Sequence, residues 1–416
     1  MANSRFPALQ FRNYRIFWFG QFVSLIGTWM QSTVQPYLAY QLTDQPIYLG
    51  LVGFANTLPA FLFILPAGVI IERLNKRKTV IIMQIVMMLQ AFTLAYLAIT
   101  HQVTIWHIVG LTFILGFANS LEITARQSML IELVDREALP NAIALNSTIF
   151  NAARVIGPSL SAPFLMLLQN TGEGWAFFAN GVSYLFVIIG LFIIQTKPKQ
   201  LAENNHRLST ADFLEGQKFI RSTPIILFIL MLVAIPSFWG FPFAQQIPVF
   251  SRDVLKAVGD TNAIVAGRNS LMVTTQGVGA LIAAVTLAAF STMRHKGRLL
   301  MVGQIVFALG LVGLGFSRSL YQAVPFILMM GWGTVTQLAL ANTLIQLTVP
   351  DHLRGRVISS YLWVMNGIAP FGSLFLGWLV QTVGASTAVM IGGSVCLVGY
   401  LGFHYLRPEI RRLVNS

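Results

Sequence analysis

The sequence predicts an all-α integral membrane protein of roughly twelve transmembrane helices in two six-helix bundles. Three observations carry this. Of 416 residues, 55% are hydrophobic and only 10% are charged, whereas a soluble domain carries about 25% charged residues. Apolar runs long enough to cross a bilayer recur from end to end. Runs such as Phe61-Leu62-Phe63-Ile64-Leu65 lack the period-two alternation that a membrane β-barrel needs. The same composition excludes a soluble enzyme, a disordered chain and a collagen-like chain.

The expected spans are 16–41, 47–71, 79–100, 105–127, 142–168, 174–195, 224–250, 263–290, 299–316, 322–347, 357–383 and 386–406. Each is read as a helix because lipid offers the backbone no hydrogen-bond partner. Orientation follows from the basic residues. With the N-terminus in the cytoplasm, all 27 lysines and arginines face inward except Arg252, Lys256, Arg268 and Arg318 outside and Arg154 within a span. This accounts for the net charge of +13 without nucleic acid and places both termini inside. The polar, basic residues 1–15 lead into a span too long for a signal peptide's apolar core, so no cleavable leader is expected. The single cysteine, Cys396, has no partner for a disulfide and no metal-ligand spacing around it.

The longest polar stretch runs from Gln195 to Thr223, and residues 212–221 within it suit a short interfacial helix. The expected organisation is a bundle at 1–195, a cytoplasmic linker at 196–223, and a second bundle with a short tail at 224–416. A weak repeat supports the duplication: Leu130-Ile131-Glu132-Leu133 before Leu139-Pro140 matches Leu344-Ile345-Gln346-Leu347 before Leu353-Arg354. Duplicated halves place a substrate site at their interface near the midplane.

The turn after the second span reads Gly68-Val69-Ile70-Ile71-Glu72-Arg73-Leu74-Asn75-Lys76-Arg77-Lys78. It resembles the signature loop of the major facilitator superfamily, with Glu72 where aspartate is usual and Asn75 where glycine is usual. A plain positive-inside turn would explain Arg73, Lys76 and Arg77 but not the spaced Gly68 and Glu72. Thr124-Ala125-Arg126-Gln127-Ser128-Met129-Leu130, Leu139 to Ser147 and Ala153-Arg154-Val155-Ile156-Gly157-Pro158 are similar to one branch of that superfamily. So are Phe11-Arg12-Asn13-Tyr14-Arg15, Gly27-Thr28-Trp29-Met30-Gln31 and Pro350 to Val357. That branch contains enterobactin-type siderophore exporters and macrolide-efflux-like proteins. The resemblance implies the major facilitator fold and a gate motif at Gly68, Glu72, Arg73, Lys76 and Arg77. The chain departs from relatives at Thr28, where many carry an aspartate, and at Thr112, where many proton-coupled exporters carry an arginine. Ser161 and Ala162 replace glycines of the antiporter motif. Ala289 and Met293 replace the glycine and acid in the second half's counterpart of the gate loop.

Ionisable groups inside spans are costly and are functional candidates. Arg154 lies roughly 18 Å into the fifth span at 1.5 Å per residue. Glu122 and Arg126 sit four residues apart on one face of the fourth. Glu122, Arg126 and Arg154 are therefore the coupling candidates. In one reading Glu122 is a proton carrier that an arginine contacts in only one state. In the other it is clamped structurally by Arg126 or Arg154. Buried amides often hold membrane helices together, but taken as a set the polar residues of the first span suit a cavity wall. The substrate-cavity candidates are Gln31, Gln35, Asn56, Asn119, Asn151, Trp239 and Gln337, with spans one, four, seven and ten lining the cavity by resemblance.

The expected function is secondary export of a small amphiphilic solute by alternating access and proton antiport, with a siderophore as the leading substrate. The alternatives are drug or macrolide efflux and lysophospholipid flipping. An enzyme is not expected: the six histidines are scattered without metal spacing, and no phosphate-binding loop for ATP is present. No cofactor or metal is expected. The partners are the bilayer, the solute and protons, with no nucleic acid; the protein is read as a monomer of the bacterial inner membrane.

Overall fold

The structure, a computed structural model, describes residues 6–168, 170–194, 210–290 and 295–408; the side chains of 64–73, 210–214 and 351 lie outside that description. The described residues are helical with no strand. The first set comprises α1 (Arg12–Thr43), α2 (Pro46–Arg73), α3 (Lys76–Ile99), α4 (Ile105–Leu133), α5 (Leu139–Leu167) and α6 (Gly172–Ile193). A short helix, α7 (Thr210–Ser222), leads into α8 (Pro224–Trp239). A 3-10 turn (Phe241–Gln246), the single turn α9 (Ile247–Val249) and a π-helical turn (Phe250–Val254) prolong α8. Then follow α10 (Asn262–Ala289), α11 (Lys296–Phe316), α12 (Leu320–Thr348), α13 (Asp351–Gly367), α14 (Ala369–Val383) and α15 (Ala385–Leu406).

Local chemistry sets the boundaries. Thr104, Thr261 and Ser319 cap α4, α10 and α12 through their hydroxyls. Asn75 accepts from the Lys78 backbone N–H at 3.0 Å and caps α3, so the residue replacing the expected glycine starts a helix. Gly384, at φ +84°, makes the turn between α14 and α15 in a conformation that disfavours side chains.

Two expected spans are broken. The span at 224–250 loses its α-helical form after Trp239, where Pro236, Pro242 and Pro248 remove donors and crowd the backbone and Gly240 is a poor helix former. The span at 357–383 begins earlier, at Asp351, and is interrupted before Pro370, so it becomes α13 and α14. Helix α4 runs six residues beyond its expected end and takes in Glu132. Among the described residues ten stretches are long and apolar enough to cross a membrane. Helices α1 and α5 are not among them, because they carry the inward amides and Arg154.

The outer surface is apolar, with Phe19, Leu89, Trp106, Phe192, Val285 and Val398 all exposed, as expected where lipid rather than water is the solvent. Within the first set, α1 packs on α5 and α6, α3 on α4 and α6, and α2 on α4. Within the second, α11 packs on α12 and α15, and α10 on α12. The sets meet where α2 crosses α14 and α5 crosses α10. At the first crossing a Cβ on Gly377 would lie 2.9 Å from the Gly50 Cα. At the second, a Cβ on Gly277 would lie 2.6 Å from the Arg154 carbonyl oxygen. Small residues let these backbones touch.

Candidate functional site

A cavity of about 90 Å3 is enclosed by α1, α2, α4 and α6 and covered by Gln245 from the 3-10 turn after α8. Its walls include Gln31, Gln35, Asn56, Thr112, Asn119 and Asn180, and none of its lining residues is charged. The side chains form a chain of hydrogen bonds. Gln31 Nε2 donates to Gln35 Oε1 at 3.0 Å and to Gln90 Oε1 at 3.1 Å. Gln31 Oε1 accepts from Asn180 Nδ2 at 2.7 Å. Gln35 Nε2 donates to Thr112 Oγ1 at 2.6 Å, and the Thr28 and Tyr184 hydroxyls lie 3.3 Å apart. Gln31 and Gln35 are four residues apart, so both project from one face of α1. Among the described residues, Gln90 Nε2 and Gln245 Oε1 are buried with no hydrogen-bond partner.

Four of the sequence-derived cavity candidates, Gln31, Gln35, Asn56 and Asn119, line this cavity. The other three do not. Asn151 donates to the Ser147 carbonyl on its own helix at 2.9 Å. Trp239 packs among Phe238 and Phe375. Gln337 accepts from the Tyr400 hydroxyl at 3.0 Å in the other set of helices. The sequence reading missed Gln90, Asn180 and Tyr184, because it did not bring α6 against α1 or the Gln90 side chain of α3 to Gln31. The sequence shows Thr112 only as the absence of an arginine; its hydroxyl is the partner of Gln35.

Glu122 is 3% exposed. Both its oxygens accept from Arg126 Nε, at 3.0 and 3.3 Å, and Gln84 Nε2 donates to it at 3.2 Å. The deeper arginine does not join them: the Arg154 guanidinium lies over the Trp29 ring, 5.3 Å from its centroid. Of the gate motif, Gly68, Glu72 and Arg73 fall where side chains lie outside the described residues. Lys76 pairs with Glu132 on α4 at 2.9 Å. Arg77 donates to the Leu191 and Phe192 carbonyls at 2.7 and 3.2 Å, satisfying the C-terminal end of α6.

At the opposite end of the bundle, contacts between the two sets are dense. The Tyr40 hydroxyl donates to Asp253, Arg252 pairs with Asp44 and lies over the Tyr40 ring, and Gln246 donates to the Pro46 carbonyl. Arg268 pairs with Asp260 and donates to the Ser251 carbonyl at 2.8 Å. The Asp260 carboxyl, in the loop before α10, is held below the usual carboxylate range by the Ala257 backbone N–H and then by Arg268.

The family model described as transmembrane secretion effector matches residues 3–412. The staphyloferrin A transporter of Staphylococcus aureus is 21% identical over 409 residues, covering 95% of this chain and 97% of that protein. The multidrug efflux pump Tap of Mycolicibacterium fortuitum is 22% identical, covering 91% of each. The enterobactin exporter EntS of Citrobacter koseri is 22% identical, covering 96% and 92%. Among solved structures, a D-xylose-proton symporter superposes with a TM-score of 0.75 at 14% identity, covering 95% of this chain and 99% of that one.

Proposed function

The chain belongs to the transmembrane secretion effector family of the major facilitator superfamily, and from that premise we propose that it exports a small amphiphilic solute by alternating access. It is a multi-pass membrane transporter rather than an enzyme. The observation that carries the reading is the uncharged, amide-lined cavity. A buried polar group without a partner costs free energy, so Gln245 Oε1, on a residue that lines the cavity, favours a solute that offers a neutral hydrogen-bond donor. Gln245 follows α8 whereas the rest of the lining belongs to the first set, so moving one set against the other would open the cavity.

In this reading α1 and α5 join the ten apolar stretches to give twelve spans in two bundles, 1–195 and 224–416, joined by a cytoplasmic linker. The protein works as a monomer in the bacterial inner membrane with both termini in the cytoplasm, because the basic loops favour that side. The dense contacts around Tyr40 and Asp253 then close the outer end. Glu122, with Arg126 as its partner, is the proton-antiport candidate; Arg154, over the Trp29 ring, stands apart from that pair. Gly68 and Glu72 serve as the cytoplasmic gate.

The relatives make a siderophore the leading solute and a drug the second. Everted vesicles test the reading: they should accumulate the solute when a pH gradient is imposed, and no accumulation with or without the gradient would overturn it. Secretion of an iron-chelating metabolite that fails on deletion favours the siderophore. Unchanged secretion with new drug sensitivity favours the second solute.

A further inference from the structure

A second cavity, a cleft of about 820 Å3, opens between α7, α8 and α13. That is within the ~300–1,000 Å3 typical of small-molecule sites. Leu227, Leu230, Met231 and Ala234 stand at i, i+3, i+4 and i+7, so one stripe of α8 faces the cleft. Trp363 and Val364 face it from α13. In the first set, by contrast, α1 and α5 pack on each other through Leu25, Ile149 and Ala153.

The mouth is polar and positive. Lys218 and Arg221 lie three residues apart on α7, both exposed and both lining the cleft. Neither makes an ion pair among the described residues. The bonds that dock α7 use other groups: Glu215 pairs with Arg356, and Gln217 Nε2 donates to Ser360 Oγ at 2.9 Å. Ile220 is buried beneath. Because α7 ends where α8 enters the apolar layer, the two cations stand at the membrane surface and the apolar stripe descends from them.

We propose that this cleft binds one anionic phospholipid, its phosphate headgroup between Lys218 and Arg221 and an acyl chain along the α8 stripe. Basic side chains at a membrane surface attract anionic lipid, and the depth of the apolar wall selects a lipid over a free anion. Placing the lipid in the inner leaflet rests on the orientation proposed above; the binding itself does not, and its test reads no transport. The site also touches the contact between the two sets, because the Trp363 ring lies tilted against Phe61 of α2 with ring centroids 5.5 Å apart.

The test uses the full chain purified in detergent and titrated with phosphatidylglycerol, with phosphatidylcholine of the same acyl chains, and with inorganic phosphate. Native mass spectrometry counts the bound lipid. One phosphatidylglycerol should be retained about tenfold more tightly than phosphatidylcholine, and phosphate should not displace it. Lys218→Gln with Arg221→Gln should bring phosphatidylglycerol down to the phosphatidylcholine level, whereas Ala234→Phe, which fills the apolar wall, should weaken both lipids. The two variants differ in signature, so general misfolding cannot imitate the result. Acyl-brominated phosphatidylglycerol should quench the wild-type fluorescence more than that of Trp363→Phe. Equal retention of the two lipids, insensitivity to either variant, displacement by phosphate, or equal quenching would each overturn the proposal.

Discussion

Replacing Glu122 by glutamine should destabilise the protein far more than a change of one atom suggests. The carboxylate is 3% exposed and the Arg126 side chain 11%, so the pair sits in a poorly screened setting. Both carboxylate oxygens receive Arg126 Nε, and Gln84 supplies a further donor. Glutamine keeps one accepting oxygen but leaves the guanidinium charge without compensation. Breaking one side of a buried pair costs about 3–5 kcal/mol, whereas replacing both sides by neutral groups is often close to neutral. Glu122→Gln and Arg126→Gln should therefore each lower stability by about 3–5 kcal/mol, and the double variant should lie within about 1 kcal/mol of wild type. Unfolding in detergent, followed by tryptophan fluorescence, measures this cycle. Single variants as stable as wild type, or a double variant as weak as the two losses added together, would refute the clamp. The same variants in everted vesicles address coupling: Glu122→Gln should abolish accumulation driven by a pH gradient, and accumulation equal to wild type would leave Glu122 purely structural.

Three further outcomes are expected. Gln35→Leu removes the donor to Thr112 and the acceptor for Gln31, at a cost of about 1–3 kcal/mol for the groups left unpaired; at equal membrane abundance export should fall at least about tenfold, as read by solute retained in cells. Gly377→Leu places a side chain where the Gly50 Cα lies 2.9 Å from a Cβ, so it should stop export while insertion, read by membrane fractionation, stays normal. Asp260, whose carboxyl is depressed in the folded state, contributes stability that is present above the ordinary aspartate value of about 3.9 and is lost as pH falls through its lower folded value. The unfolding midpoint should therefore drop in acid, and Asp260→Asn should remove that component.

The helices were legible because a membrane forces every apolar run of sufficient length into one conformation. Their breaks were not: Pro236 alone reads as a kink, and only the combination with Gly240, Pro242 and Pro248 turns the end of α8 into 3-10 and π geometry. At the site, Gln31 and Gln35 were readable because helical spacing puts them on one face. Gln90 and Asn180 were not, since nothing in a single sequence says that α6 lies against α1 or that a side chain of α3 reaches Gln31. Tyr40 and Asp253, which meet where the two sets touch, are 213 positions apart, and nothing in a single sequence pairs them. The sequence leaves Arg126 and Arg154 both open as partners of Glu122, because depth along a helix does not fix rotation about it; Arg126 takes the carboxylate and Arg154 lies over Trp29.

The central claim is export, and the most direct measurement compares what cells release. Mass spectrometry of medium and cell extract should be run on wild-type cells, a deletion strain, and deletion strains complemented with wild-type or Gly377→Leu protein, all grown under iron limitation. The account predicts a small amphiphilic compound that is depleted from the deletion strain's medium and enriched inside its cells. Wild-type protein should restore its release, and Gly377→Leu at equal membrane abundance should not. Identical media across all four strains, or a compound that builds up outside the deletion strain and disappears from within it, would contradict the account.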